Sequence, residues 1–163
     1  MSGQFDIQEL RRQATRDALL GVNNRNAEET SPLSPERFNQ LIGWARVALC
    51  VPPDVALLLA FDQSAAYDGR NFLWFRSRFD DFLYIDRVVV ADQYRRHGIG
   101  RMLYAETFEL AARLGHARIV CEINVVPPNP VSDRFHASLG FQEVGRATVD
   151  DGAKTVRYLA AQL

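Results

Sequence analysis

Two carboxylates stand inside runs that are otherwise apolar: Asp86 within residues 82–90 (FLYIDRVVV) and Glu122 within residues 117–126 (ARIVCEINVV). An acid in a buried strand is costly unless it is paired or faces an opening. Each must therefore have a partner or reach a site where a carboxylate can exchange a proton. By strand alternation Asp86 shares a face with Phe82, Tyr84 and Val88, and Glu122 shares one with Asn124. Arg87 offers either acid a purely structural ion pair. A second grouping, Arg95-Arg96-His97-Gly98-Ile99-Gly100, follows the first of these runs and opens a helical pattern. Glycines there let the backbone turn tightly and approach a ligand, while the first amides of the helix and its dipole favour an anion such as a pyrophosphate. Arg95, Arg96 and Arg101 add positive charge. The loop lacks the GxxxxGK[ST] and GxGxxG patterns, and the chain has a single lysine, Lys154, which argues against nucleoside triphosphates and dinucleotides. The same residues would also serve simply to start a helix with solvated arginines.

The rest of the composition narrows the setting. With 163 residues and 18.4 kDa, the chain fits one domain. Its 47% hydrophobic and 24% charged residues are an ordinary globular mix. A net charge of −1 gives no support for nucleic acid as a partner. No apolar run approaches the ~18 residues of a membrane span, and the opening MSGQFDIQELRRQ lacks the apolar stretch of a signal peptide, so a cytoplasmic protein is expected. Cys50 and Cys121 lie in apolar runs and read as buried free thiols. The three histidines and two cysteines show no metal-ligand spacing, so no metal is expected.

Hydrophobic periodicity divides the chain into elements. Phe5-Asp6-Ile7 reads as a short strand before a helix from about Thr15. Ser34-Pro35-Glu36 is an N-cap, a first-turn proline and a first-turn acid, opening a helix to about Arg46. Residues 46–51 and 55–61 form a hairpin about Pro52-Pro53-Asp54. Residues 62–81 read as an aromatic-rich loop that packs against something specific. Strand 82–90, a helix from Gly98 to Gly115, strand 117–126, a short helix ending at Gly140, and strands near 141–149 and 155–159 complete the chain. The order of strands and helices over 82–149 requires a parallel crossover and hence an α/β (α+β) fold.

The stretches VVVADQYRRHGIGRMLYAETFELAARLG, RIVCEIN and NPVSDRFHASLGFQEVG resemble the Gcn5-related N-acetyltransferase (GNAT) superfamily, clearly over about residues 82–149 and by element order before them. That resemblance implies a mixed, mostly antiparallel sheet with one splayed parallel strand pair and helices on both faces. Residues 82–149 would form the acetyl-CoA-binding core and residues 1–81 the acceptor side. It implies that backbone groups of Val88, Val89 and Val90 pair with the pantetheine arm, and that Arg95, Arg96, His97, Gly98, Ile99, Gly100 and Arg101 surround the pyrophosphate. Asn129 would reach the pantetheine or the sheet opening, and Phe135 would pack near the cofactor arm or serve as core.

For chemistry, the resemblance points to acetyl transfer to a primary amine in a ternary complex. Cys121-Glu122-Ile123 is similar to the Leu-Glu-Val run whose Glu is the base in the ribosomal-protein acetyltransferases, though this chain has two more residues, near Val126-Pro127, before Asn129. Glu122 is thus the first candidate base and Asp86 the second. His136 occupies the place where the family most often has a Tyr that protonates the departing thiolate, a step an imidazole could take over. His97 and His116 read as surface groups. The acceptor side would come from residues 23–46 and 67–79, where Tyr67, Trp74 and Phe75 line a pocket, fill the core or meet a second copy in a homodimer. Two alternatives stay open: a silent acyl-CoA-binding module, and an enzyme using a different acyl-CoA.

Overall fold

The computed structural model describes residues 5–14, 16–26 and 30–163. Along the chain come strand β1 (Gln8–Glu9), helices α1 (Asp17–Arg25) and α2 (Pro35–Trp44), strands β2 (Val47–Val51) and β3 (Ala56–Asp62), and helix α3 (Arg70–Arg76). Strand β4 (Leu83–Val90), helix α4 (Ile99–Arg113), strand β5 (Arg118–Val126), helix α5 (Pro130–Ser138), and strands β6 (Gln142–Val149) and β7 (Lys154–Gln162) follow. The order expected at the N-terminus, strand then helix, is found, with the strand at Gln8–Glu9; Thr15 lies outside the described residues. Ser34 caps α2 as its sequence indicates, its hydroxyl accepting the Arg37 amide at 3.1 Å.

The sheet has seven strands in the order β1-β2-β3-β4-β5-β7-β6, antiparallel throughout except for the parallel β4/β5 pair. Helices α1, α2 and α3 pack on one face through Leu19, Phe38, Leu41, Phe72 and Phe75. Helices α4 and α5 cover the other through Ile99, Leu103, Tyr104, Phe135 and Leu139. Cys50 and Cys121 are buried free thiols.

Two departures from the sequence reading matter for the site. Residues 62–81 are not all loop: α3 forms there, capped by Gly69 with no side-chain bond, so no Ser, Thr or Asp announces its start. The alternation along β4 also breaks. The β3 register passes from Leu59↔Arg87 to Ala60↔Ile85, leaving Asp86 as the extra residue of a β-bulge. Phe82 and Tyr84 consequently lie on the α1–α3 face, whereas Val88 and Val90 pack toward α4.

Strands β4 and β5 pair only at Leu83↔Ile119 and Tyr84↔Val120, and beyond that they part. A polar clamp holds the closed end. Asp81 accepts His116 Nδ1 at 2.7 Å through one carboxylate oxygen and the Ala117 amide at 2.6 Å through the other, and its carbonyl accepts Arg118 at 2.9 Å. His116, expected at the surface, has a side chain only 7% exposed. Burial pushes the Asp81 carboxyl up, but the bonds from His116 and Ala117 outweigh it and hold the group below its usual range. A depressed carboxylate stabilises the fold above its unfolded value of ~3.9, and that contribution is lost as pH falls through the folded value. Asp81→Ala should therefore cost ~1 kcal/mol at pH 7, the low end for a charged partner because the carboxylate is 37% exposed. In urea melts that difference should shrink as pH falls below about 4.

Candidate active site

Glu122 sits on β5 just past the last residue paired with β4, on the face toward α3. The Tyr84 hydroxyl donates to its Oε2 at 2.8 Å. The Asn71 side chain, from the first turn of α3, gives it a second hydrogen bond. Arg87 is not its partner. Burial is the main influence on the Glu122 carboxyl and pushes it up to about 7; the Asp86 carboxylate adds to the rise, while the Tyr84 and Asn71 bonds oppose it. A carboxylate near 7 is half ionised at neutral pH, the condition a general base needs.

Asp86 is held differently. Its two oxygens are taken by Tyr67 Oη at 2.8 Å and Arg87 Nε at 2.8 Å, and the carboxylate and guanidinium are 5% and 6% exposed. Arg87 in turn donates to Asn23 Oδ1 at 2.9 Å, tying β4 to the last turn of α1. This buried pair ties α1 to the sheet, and both carboxylate oxygens are already occupied.

From Ile85 to Val90, strand β4 has β3 on one side and no β5 partner on the other, so backbone groups of Val88, Val89 and Val90 border the parting. At its end the chain turns through left-handed Arg96 (φ 66°) and Gly98 (φ 77°) into α4. The first helical bond there runs from Met102 N to Gly98 O, so the amides of Ile99, Gly100 and Arg101 precede the ladder. Individual side chains of this loop are spent in several ways. Arg95 bonds Asn26 Oδ1 at 2.8 Å and Asp92 at 3.1 Å, and His97 Nδ1 donates to the Tyr94 and Arg95 carbonyls at 3.0 and 2.9 Å. Ile99 is core, and exposed Arg101 reaches Ser138 Oγ at 2.9 Å and lies over the Phe135 ring. Phe135 approaches Gly100, where a Cβ would meet it at 4.0 Å. Asn129 spends its side-chain oxygen capping α5 through the Ser132 amide at 3.2 Å.

His136 is buried, with both ring nitrogens engaged. Nδ1 lies 2.8 Å from the Ser132 carbonyl, which can only accept, so Nδ1 carries the proton and Nε2 accepts from the Tyr104 hydroxyl at 2.8 Å. Burial lowers its pKa further, against the opposing pull of the Ser132 carbonyl and Asp133, so it is neutral at pH 7. The ring sits among Tyr104, Phe135 and Phe141. Among the described residues, no group of three or more His, Cys, Asp or Glu side chains gathers to hold a metal. No described helix is long and apolar enough to cross a membrane.

The Acetyltransferase (GNAT) family model matches residues 23–141. The chain belongs to this family. Among solved structures it is similar to the ribosomal-protein-alanine N-acetyltransferase of Brucella melitensis, at 23% identity over 97% of this chain and 99% of that one, with a TM-score of 0.70. It is also similar to a putative acetyltransferase of Salmonella typhimurium solved with its cofactor acetyl-CoA (17% identity, 99% and 95% covered, TM-score 0.73). A third is the ribosomal-protein-S18-alanine N-acetyltransferase of Escherichia coli (19% identity, 98% and 94% covered, TM-score 0.68). No curated protein matches the sequence.

Tyr84, Asn71, Tyr104 and Asn23 escaped the sequence reading, because each meets its partner across a long sequence separation. Tyr84 alone carried a signal, a hydroxyl inside a buried run that had to find an acceptor. Since the folded Glu122 carboxyl lies above its unfolded value, the unfolded chain releases this proton first, and Glu122 costs stability as pH rises from about 4.5 to about 7. Glu122→Gln should accordingly raise stability by up to roughly 3 kcal/mol at pH 8 and by little at pH 4, as read from denaturation midpoints.

Proposed function

We propose that this chain is an N-acetyltransferase that moves an acetyl group from acetyl-CoA directly to a primary amine of a small molecule or peptide, with both substrates bound together. The observation that carries the reading is Glu122, a carboxylate near pKa 7 beside the parting of β4 and β5, hydrogen-bonded by neutral groups and, among the described residues, unpaired with any arginine. Similar structures named for acetylating an alanine amine support an amine acceptor.

The residues present fit acetyl-CoA. The free side of Val88–Val90 offers a strand-like edge to the two amides of a pantetheine arm. The leading amides of α4, with Arg96 and Arg101 nearby, suit the pyrophosphate. Bound there, acetyl-CoA supplies an acetyl group activated as a thioester. A free alkylamine with pKa ~10 is almost wholly protonated at pH 7. As a neutral amine nitrogen bonds to the acetyl carbon its N–H turns acidic, and Glu122 accepts that proton, directly or through one water. Tyr84 and Asn71 hold the carboxylate for this role. On the leaving side, a thiolate with a parent pKa of ~8.5 departs with little help. His136 is neutral, and its Nε2 is taken by Tyr104, so it ranks behind Glu122: to donate, it must first gain a proton and turn the Tyr104 hydroxyl away.

Glu122→Gln keeps the shape and one acceptor oxygen while removing basicity. Steady-state kinetics should show kcat lowered by roughly 10²–10⁴-fold with the acidic limb of the pH profile flattened, and CoA affinity unchanged by calorimetry; an unaltered kcat would remove Glu122 as the base.

Gly100→Val tests the loop without straining the backbone, because Gly100 is helical and a Cβ there would come no nearer than van der Waals contact with the Phe135 ring. The melting temperature should stay near that of the parent, while calorimetry should show CoA binding at least tenfold weaker, about 1.4 kcal/mol.

A further inference from the structure

One face of the short helix α3 is devoted to a single residue of β7. Asn71 and Trp74, three residues apart and so on one side of the helix, both meet Tyr158. The Trp74 ring stacks on the Tyr158 ring at 4.0 Å with an interplanar angle of 18°, and Phe75 meets it edge-on at 5.2 Å. The Tyr158 hydroxyl donates to Asn71 Oδ1 at 3.0 Å. On the neighbouring strand, Gly145 stands opposite Tyr158, and a Cβ there would strike the Trp74 ring at 2.4 Å. A glycine is required at that position for the stack to form. Arg78 covers the other side of the indole at 3.9 Å.

An amide side chain can turn by half a revolution with little change in shape, and only its partners decide which end faces which way. Tyr158 stands directly opposite Glu122 across the β5/β7 ladder, so the amide bonded to its hydroxyl lies beside the carboxylate; with its oxygen occupied by Tyr158, the Asn71 amide directs its NH2 elsewhere, toward Glu122. We propose that Asn71 is a positioning residue for Glu122: Tyr158, clamped by Trp74 in the space left by Gly145, locks the amide with its donors toward the carboxylate. The proposal rests on Glu122 being the base and extends the working site into the β3–β4 connection. Asn71 stabilises the ionised carboxylate and so keeps it available at neutral pH.

Other titratable groups that feel the Glu122 charge are Tyr84 and Asp86 from β4, Tyr67 from the segment before α3 and Tyr158 from β7 on its own face, with Tyr104 from α4 and Cys121 on the opposite face of the sheet. Burial pushes the tyrosines and the thiol upward, so they stay neutral, and Asp86 is held by Arg87.

The test uses two variants. Asn71→Leu removes the amide at similar volume; Tyr158→Phe removes only the hydroxyl and keeps the ring against Trp74, so it decides the matter should Asn71→Leu fail to fold. In each, the Glu122 carboxyl is titrated by carbon NMR in the substrate-free protein, and kcat/KM is measured against pH with acetyl-CoA and an amine that the parent accepts. In Asn71→Leu the Glu122 titration should move up by about one pH unit, from the loss of a bond to a charged acceptor. The loss of kcat/KM should then be about tenfold greater at pH 6 than at pH 9. Tyr158→Phe should move both in the same direction by less. A Glu122 titration unchanged in the folded variants overturns the proposal. A titration that moves while the acidic limb stays in place upholds the positioning and instead overturns Glu122 as the base.

Discussion

The sheet depends on two parallel strands that are allowed to pair only at their beginnings. After Leu83↔Ile119 and Tyr84↔Val120 the β4/β5 ladder stops, although each strand keeps its other neighbour almost to its end. Backbone groups left without partners inside a sheet are costly unless water or a ligand takes them, so the parting is a feature the surrounding structure must enforce. The Asp81 clamp fixes the closed end. The bulge at Asp86 changes the phase and twist of β4 where the strands separate. Helix α4 then begins at the far end of β4, setting its leading amides at the end of the slot.

The two buried acids show how one environment can produce different chemistry. Asp86 is matched by a guanidinium and a tyrosine hydroxyl, which fill both oxygens and turn the acid into a structural link between β4 and α1. Among the described residues, Glu122 receives hydrogen bonds from neutral groups alone, and it feels the Asp86 charge nearby. Burial without a counterion is unfavourable for folding, yet it lifts the carboxyl to the range where it can take up and release a proton near pH 7. Stability lost at Glu122 is thus the physical source of its basicity.

Elements whose signals are local were legible in the sequence. The β-branched run at 82–90, the Ser34-Pro35 start of α2 and the glycines opening α4 carry their own chemistry, and the structure has each of them. Counting by twos along β4 failed beyond Asp86, since alternation assumes an unbroken ladder and nothing in the residue types marks a bulge. Helix α3 was hidden because Gly69 gives no capping signal and its aromatics, Phe72, Trp74 and Phe75, face two different neighbours, the core beneath the sheet and Tyr158. Glu122 and His136 were identifiable as positions. Their hydrogen-bond partners were not, for Tyr84 lies 38 residues from Glu122 and Tyr104 lies 32 from His136.

Amide hydrogen exchange along β4, with and without CoA, tests most directly whether the parting of the two strands is the cofactor slot. If it is, saturating CoA slows exchange at amides among Val88–Val90 and at the leading amides of α4, because the ligand supplies the partner that β5 withholds. Unchanged exchange at those amides, with new protection elsewhere on the protein, would contradict it.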